Sequence, residues 1–182
     1  MSQNDNELLI EKLLASHQKR EGFEKIVQQY SQPLYWKIRR MVLIHEDADD
    51  ILQNTFLKVW THLDSFEGKA RLSTWLYRIA INESLDFLRK QKNVYPQGEE
   101  EITDVAQQLM ADEYFDGTEA QALLQEAIVE LPEMQKTVFL LKYYDEMKYN
   151  EISEVLNKSE GALKANYHLA VKKIKDYLES KG

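Results

Sequence analysis

FEGKARLSTWLYRIAINESLDFLRKQK, residues 66–92, carries two unlike surfaces on one helical period. Wound as a helix from Leu72, it gathers Leu72, Trp75, Leu76, Ile79, Ala80 and Phe87 into one broad stripe, the recurrence of a core-facing surface. Arg71, Arg78, Asn82 and Arg89 line up on the other side, with Lys92 a little apart. An apolar underside and a basic upper side make a ledge suited to a polyanion. Asn82 is the informative member, because an amide both donates to and accepts from a base edge, whereas Lys and Arg only donate. The same stripe also suits a solvated helix back with no partner, and the pattern alone does not separate the two.

The chain of 182 residues, 43% of them hydrophobic, has room for one or two compact domains, and three prolines and six glycines leave long stretches free to be helical. No run approaches the roughly eighteen apolar residues of a membrane span. No charged-then-apolar leader opens the chain, so a cytoplasmic location is expected. The absence of cysteine excludes disulfides, thiolate nucleophiles and cysteine-ligated zinc. His17, His45, His62 and His168 are scattered and no nucleophile-base or ligand spacing is found, so no enzyme, catalytic residue, cofactor or metal is expected.

The net charge of -8 sits poorly with a nucleic-acid partner until it is located. Between Asn93 and Glu119 there are eight acids and no Lys or Arg, and setting these aside leaves 23 acids against 23 bases. The acidity is one segment. Because it also holds Pro96, Gly98 and Gly117, residues 94–118 read as an acidic linker with a short helix near residues 105–110. The linker separates a domain over residues 1–93 from another over residues 119–182. It could thread across a basic partner surface, mimic nucleic acid to quiet the basic faces, or serve as a solvating spacer.

Leu9, Ile10, Leu13 and Leu14 recur at helical spacing, followed by Phe23, Ile26, Val27 and Tyr30. Pro33 marks a break or a helix start, and Leu34, Tyr35, Ile38, Met41 and Val42 make a third pattern with Lys37, Arg39 and Arg40 outside. No strand alternation appears, so the expected fold is all-α, two small helical domains. In DADDILQNTFLKVW, residues 47–60, Ala48, Ile51, Leu52, Thr55, Phe56 and Val59 share a core face. Asp50, Gln53, Asn54 and Leu57 share the opposite one, where an aliphatic residue ringed by polar ones has the form of a small protein contact, although single exposed leucines are common. His45, Glu46, Asp47, Asp49 and Asp50 follow no metal-ligand spacing, and acids at a helix start answer its dipole.

Beyond the linker, Ala122, Leu123, Ala127, Ile128 and Leu131 form a stripe, and Pro132 fits the first position of a new helix that carries Val138, Phe139, Leu141 and Lys142. A short helix over residues 149–156 buries Ile152, Val155 and Leu156, a turn follows at Asn157-Lys158-Ser159, and Ser159 caps a second helix. This is the form of a helix-turn-helix, or of a plain helical hairpin. Leu163, Tyr167, Ala170, Val171, Ile174 and Leu178 are expected inward, leaving Gly161, Lys164, Ala165, His168, Lys172 and Lys175 for a DNA backbone and its phosphates.

The order DADDILQNTFLKVW, LDSFEGKARLSTWLYRIAINESLDFLRKQKN, an acidic linker, then LPEMQKTVFLLKYYDEMKYNEISEVLNKSEGALKANYHLAVKKIK resembles the extracytoplasmic-function group of bacterial sigma-70 factors over nearly the whole chain. The resemblance implies a region 2 that binds core RNA polymerase and opens the -10 promoter element, and a region 4 that reads the -35 element. It implies polymerase contacts at Asp47, Asp50, Gln53, Asn54 and Leu57. Contacts to -10 DNA would come from Gly68, Lys69, Arg71, Arg78, Asn82 and Arg89, with the loop Glu67-Gly68-Lys69-Ala70-Arg71 capturing a flipped base beside Asn82. Contacts to -35 DNA would come from Ser159, Gly161, Lys164, Ala165, His168 and Lys172. Ala162, Ala165, Asn166 and Leu169 depart from the residues common in the family's recognition helix, so contact there would be weaker or differently specified. Core RNA polymerase, promoter DNA and an anti-sigma factor are the implied partners. A helix-turn-helix regulator acting without polymerase and a helical adaptor are the rival readings.

Overall fold

The computed structural model describes residues 2–94 and 105–182. Every regular element among them is helical: α1 (Gln3–Ala15), α2 (Lys19–Met41), α3 (His45–His62), a 3-10 turn (Leu63–Ser65), α4 (Leu72–Val94), α5 (Val105–Ala111), α6 (Glu119–Val129), α7 (Glu133–Tyr143), α8 (Tyr149–Leu156) and α9 (Glu160–Lys181). The all-α expectation is met. The chain divides into two compact units, residues 1–90 and 91–182.

In the first unit, α1 opens on a capping box: the Ser2 hydroxyl accepts from the Asp5 amide while the Asp5 carboxylate accepts from that of Ser2. α2 packs against both α1 and α3. Its buried stripe is Ile26, Tyr30, Leu34 and Ile38, four residues apart and each at most 1% exposed. The break expected at Pro33 does not occur, since α2 runs through it. Pro33 lies on the exposed side, and core residues continuous across it outweigh the one backbone bond that its missing N–H removes. Lys37 and Arg39, expected outside, are buried: the Lys37 ammonium lies 4.3 Å from the centroid of the Tyr77 ring on α4, and Arg39 donates to the Leu43 carbonyl. Long cationic stems bury readily when the head finds a ring or a carbonyl.

On α4, Leu72, Leu76 and Ala80 are fully buried and Trp75, Ile79 and Phe87 half-buried. The covered side is wider than the expected stripe, taking in Ser73, Thr74, Ile81, Ser84 and Leu85. Ser84 can sit in a core because its hydroxyl donates to the Ala80 carbonyl at 2.9 Å.

In the second unit, Thr118 and Gln121 form the capping box that starts α6. Pro132 is the cap of α7, one position before the expected one, with its carbonyl accepting from Lys136 N at 2.9 Å. α6, α7 and α8 all pack on α9, around Ala122, Ile128, Val138, Ile152, Leu163 and Ala170. Val171 is exposed rather than inward, because Ala170 takes the core position beside it. Of the expected acidic linker, residues 95–104 lie outside the described residues. Packing begins again at Val105 and not at residue 119: α5 lies against α6 with Val105, Ala106 and Leu109 buried, and Ala106 N donates to Glu126 at 2.9 Å.

Candidate nucleic-acid interface

Arg78, Asn82 and Arg89 are exposed along α4, on the side away from Leu72, Leu76 and Ala80. Arg89 has Asp86 at 3.4 Å, an exposed pair one turn away of the kind worth little. The loop before α4 starts with the Phe66 ring 5.2 Å from that of Trp75. Gly68 follows at φ 70°, where an added Cβ would meet nothing within 4 Å, so it is the backbone conformation and not space that asks for glycine. Lys69 is exposed and pairs with Glu67 in the same loop. Arg71 turns back, its Nη2 lying 2.8 Å from Asn4 Oδ1 and 3.1 Å from Glu7 Oε2, both on α1.

Glu7 was not among the sequence candidates, because it precedes an apolar run that reads simply as helix. It is 5% exposed and also accepts from Ser73 N at 2.6 Å and from the Tyr30 hydroxyl at 3.3 Å. Burial alone would push its carboxyl up, but the Ser73 donors and the Arg71 guanidinium outweigh it and hold the group below its ordinary value.

On α3, Asp50, Gln53, Asn54 and Leu57 are all exposed, Leu57 by 65%, and Asp47 is half-buried. Partial burial, then the charges of Asp50 and Glu46, push the Asp47 carboxyl up. Like charges crowded on an exposed face favour the approach of a cationic partner. Trp60, one turn beyond Leu57, was missed by sequence reasoning. It is exposed by 41% and braced edge-on by Phe23 at 5.1 Å, with the Lys19 ammonium 4.5 Å from its ring. The i, i+3 spacing from Leu57 was the available signal. At the start of α3, His45 lies 2.6 Å from the Tyr35 hydroxyl and 3.3 Å from Asp49, and among the described residues no group of three potential ligands could hold a metal ion.

The turn between α8 and α9 has the expected form. Asn157 closes α8 in the left-handed region at φ 53°, Ser153 Oγ donates to the Lys158 carbonyl at 2.6 Å, and Ser159 Oγ accepts from Ala162 N at 3.2 Å. Gly161, Lys164, Ala165, His168 and Lys172 are exposed on one face of α9, with Ser159 exposed just before them and Leu169, 45% exposed, nearby. An added Cβ at Gly161 would meet nothing within 4 Å, so the helix backbone is open to a close approach there. Asn166 is spent inside the helix, its amide donating to the Ala162 carbonyl at 2.8 Å. Tyr149, at the start of α8, is met from α7 by Lys142, 4.7 Å from its ring, and from α9 by Lys164, at 5.6 Å.

Residues 26–94 match the family described as Sigma-70 region 2, and residues 121–174 match Sigma-70, region 4. The chain is 34% identical to the ECF RNA polymerase sigma factor SigW of Bacillus subtilis (strain 168), over 89% of its own length and 92% of that protein's. It is 26% identical to RNA polymerase sigma factor SigV of the same bacterium, over 80% and 84%. It shares its fold with CnrH, solved in complex with the cytosolic domain of CnrY, at a TM-score of 0.72 and 21% identity over 97% and 99% of the two chains. It shares it also with the sigma factor RpoE, solved with the anti-sigma factor NepR from Bartonella quintana, at 0.66 and 20% over 86% and 96%. With both regions present in order and a relative this similar along nearly its whole length, the chain belongs to the extracytoplasmic-function group of sigma-70 RNA polymerase sigma factors.

Proposed function

We propose that the protein acts in the cytoplasm by binding core RNA polymerase and directing it to promoters, contributing recognition and strand capture rather than a catalysed reaction. Core polymerase is met by the outer face of α3, with Leu57 and Trp60 as apolar contacts and Asp47, Asp50, Gln53 and Asn54 around them. Promoter DNA at -10 is held on α4 by Arg78 and Arg89 through phosphates and by Asn82 through a base edge, beside the loop of Gly68, Lys69 and Arg71. Extracting a base costs a few kcal/mol of stacking and pairing, which backbone cations and a close pocket must offset. The -35 element meets Ser159, Gly161, Lys164, Ala165, His168 and Lys172 on α9. RpoE of Bartonella quintana is described with an anti-sigma factor, and a partner of that class completes the proposal.

The observation that carries this reading is α4 itself, which buries one side and exposes Arg78, Asn82 and Arg89 on the other. Transcription in vitro with purified core polymerase tests it. Promoter-specific initiation that requires the protein is expected, whereas duplex binding indifferent to polymerase would mark an ordinary helix-turn-helix regulator.

A further inference from the structure

The region 2 match begins at residue 26, so α1 stands outside it, yet a side chain of α1 reaches the first turn of α4. The carbonyl of Arg71 accepts the first backbone bond of α4, from Trp75 N at 3.1 Å. That is the position where Ser, Thr, Asp or Asn ordinarily offers a side-chain acceptor to the next amides. An arginine has no acceptor to offer. Glu7 supplies one from another helix, taking Ser73 N at 2.6 Å on one oxygen and Arg71 Nη2 at 3.1 Å on the other. Its buried carboxylate thus sits at the positive end of α4, where backbone N–H groups lack partners within the helix. Asn4, on the preceding turn of α1, takes a second bond from Arg71 at 2.8 Å. The loop between is held at both ends, by Phe66 against Trp75 before it and by Arg71 against α1 after it.

From these contacts we propose that Glu7 is a positioning residue for the loop over residues 66–71, and that promoter opening by this protein therefore depends on α1. The proposal rests on the reading above, in which that loop and the basic side of α4 hold the unwound strand. A short loop with a left-handed glycine has little slack, so moving its Arg71 end moves Gly68 and Lys69 relative to Asn82. Glu7 itself touches no DNA in this role. Its loss acts on strand capture and not on attachment to polymerase, which uses the exposed face of α3. Glu7→Gln keeps the shape and one acceptor but turns an NH2 group toward donors and removes the charge that Arg71 answers.

The test pairs full-length wild type and Glu7→Gln with bacterial core RNA polymerase. Templates are a duplex promoter selected from random sequence by the wild-type holoenzyme, and the same promoter with its -10 segment already unpaired. Glu7→Gln is expected to form open complexes about ten-fold more slowly on the duplex, the scale of loss from a misplaced contact group. On the unpaired template, where the stacking and pairing cost is already met, its loss is smaller, and it binds core polymerase with unchanged affinity. Asn4→Ala, an exposed change that removes only the bond to Arg71, gives a loss of the same sign of about three-fold and decides the matter should Glu7→Gln fail to fold. Equal losses on both templates, or none on either from both variants, would overturn the proposal. Wild-type protein that fails to initiate with core polymerase overturns the assigned function instead, so the two failures are distinguishable.

Discussion

Asn82 and Arg89 stand seven residues apart on one exposed side of α4, yet under the proposed function their chemistry gives them different work. An amide discriminates between base edges, while a guanidinium on a phosphate carries no sequence information. Asn82→Ala is therefore expected to change the order of preference among promoter variants at -10 by about 1–3 kcal/mol at one position with little change in salt dependence. Arg89→Ala should weaken all variants alike and reduce the salt slope by about one. Holoenzyme binding to a promoter series at several salt concentrations checks both, and identical behaviour of the two variants would reject the division. Leu57→Asp places a charge in an apolar contact, so core polymerase should bind about ten-fold or more weakly. At 65% exposure the same change should leave the thermal midpoint almost unmoved. A pull-down equal to wild type would remove that face from the polymerase contact. At this scale the sequence was legible where periodicity separates inside from outside, as at Arg78 or Leu57. It was illegible where one side chain answers another far along the chain, as Glu7 answers Ser73 and Arg71 some 64 to 66 positions away. Lys37 was misplaced for the same reason, since nothing near it in the sequence announces the Tyr77 ring, whereas Arg39 was misplaced although the Leu43 carbonyl it reaches is only four residues on.

Helix starts could be read ahead of the structure wherever the cap is local. Ser159 is the clear case, and Ser159→Ala should destabilise the second unit by about 1 kcal/mol, measurable in a denaturant series. α2 teaches the opposite lesson. Proline is normally read as punctuation, but Ile26, Tyr30, Leu34 and Ile38 sit on a single stripe whose burial continues through Pro33. Pro33→Ala restores a backbone donor at an exposed position and is expected to stabilise the first unit by about 1–3 kcal/mol, after the greater freedom of the unfolded chain is set against the helix gain. A lower midpoint in that variant would show that the proline contributes something beyond interrupting the ladder. α5 was anticipated as a helix, but its docking was not, because composition reports the acids of this stretch and not the Glu126 carboxylate to which it is joined.

Across the whole molecule, among the described residues, each unit contains one buried glutamate that accepts from the second amide of a neighbouring helix: Glu7 from Ser73 at the start of α4, and Glu126 from Ala106 at the start of α5. Both carboxyls lie below their ordinary value of 4.5, Glu126 chiefly through its bond from the Tyr177 hydroxyl and Glu7 because its donors outweigh burial. Folding then favours the ionised forms. Their stabilisation is complete above about 4.5 and is lost as the pH falls from there through the lower folded-state values. Thermal melts followed from neutral pH downward should show the midpoint dropping over that window. In Glu126→Gln the neutral-pH midpoint should be lower and the acid dependence shallower. A slope unchanged in both Glu7→Gln and Glu126→Gln would mean that other groups govern the acid limb.

Glu126 also receives Tyr177 at 2.5 Å and Lys181 at 3.4 Å, so the last turns of α9 and the first turn of α5 share one latch. Trimming the chain ahead of Tyr177, as a crystallographer might to remove a ragged tail, would strip two of the three donors from that carboxylate. Samples shortened there would therefore hold α5 more loosely than the intact protein does, at a distance of some seventy residues from the cut.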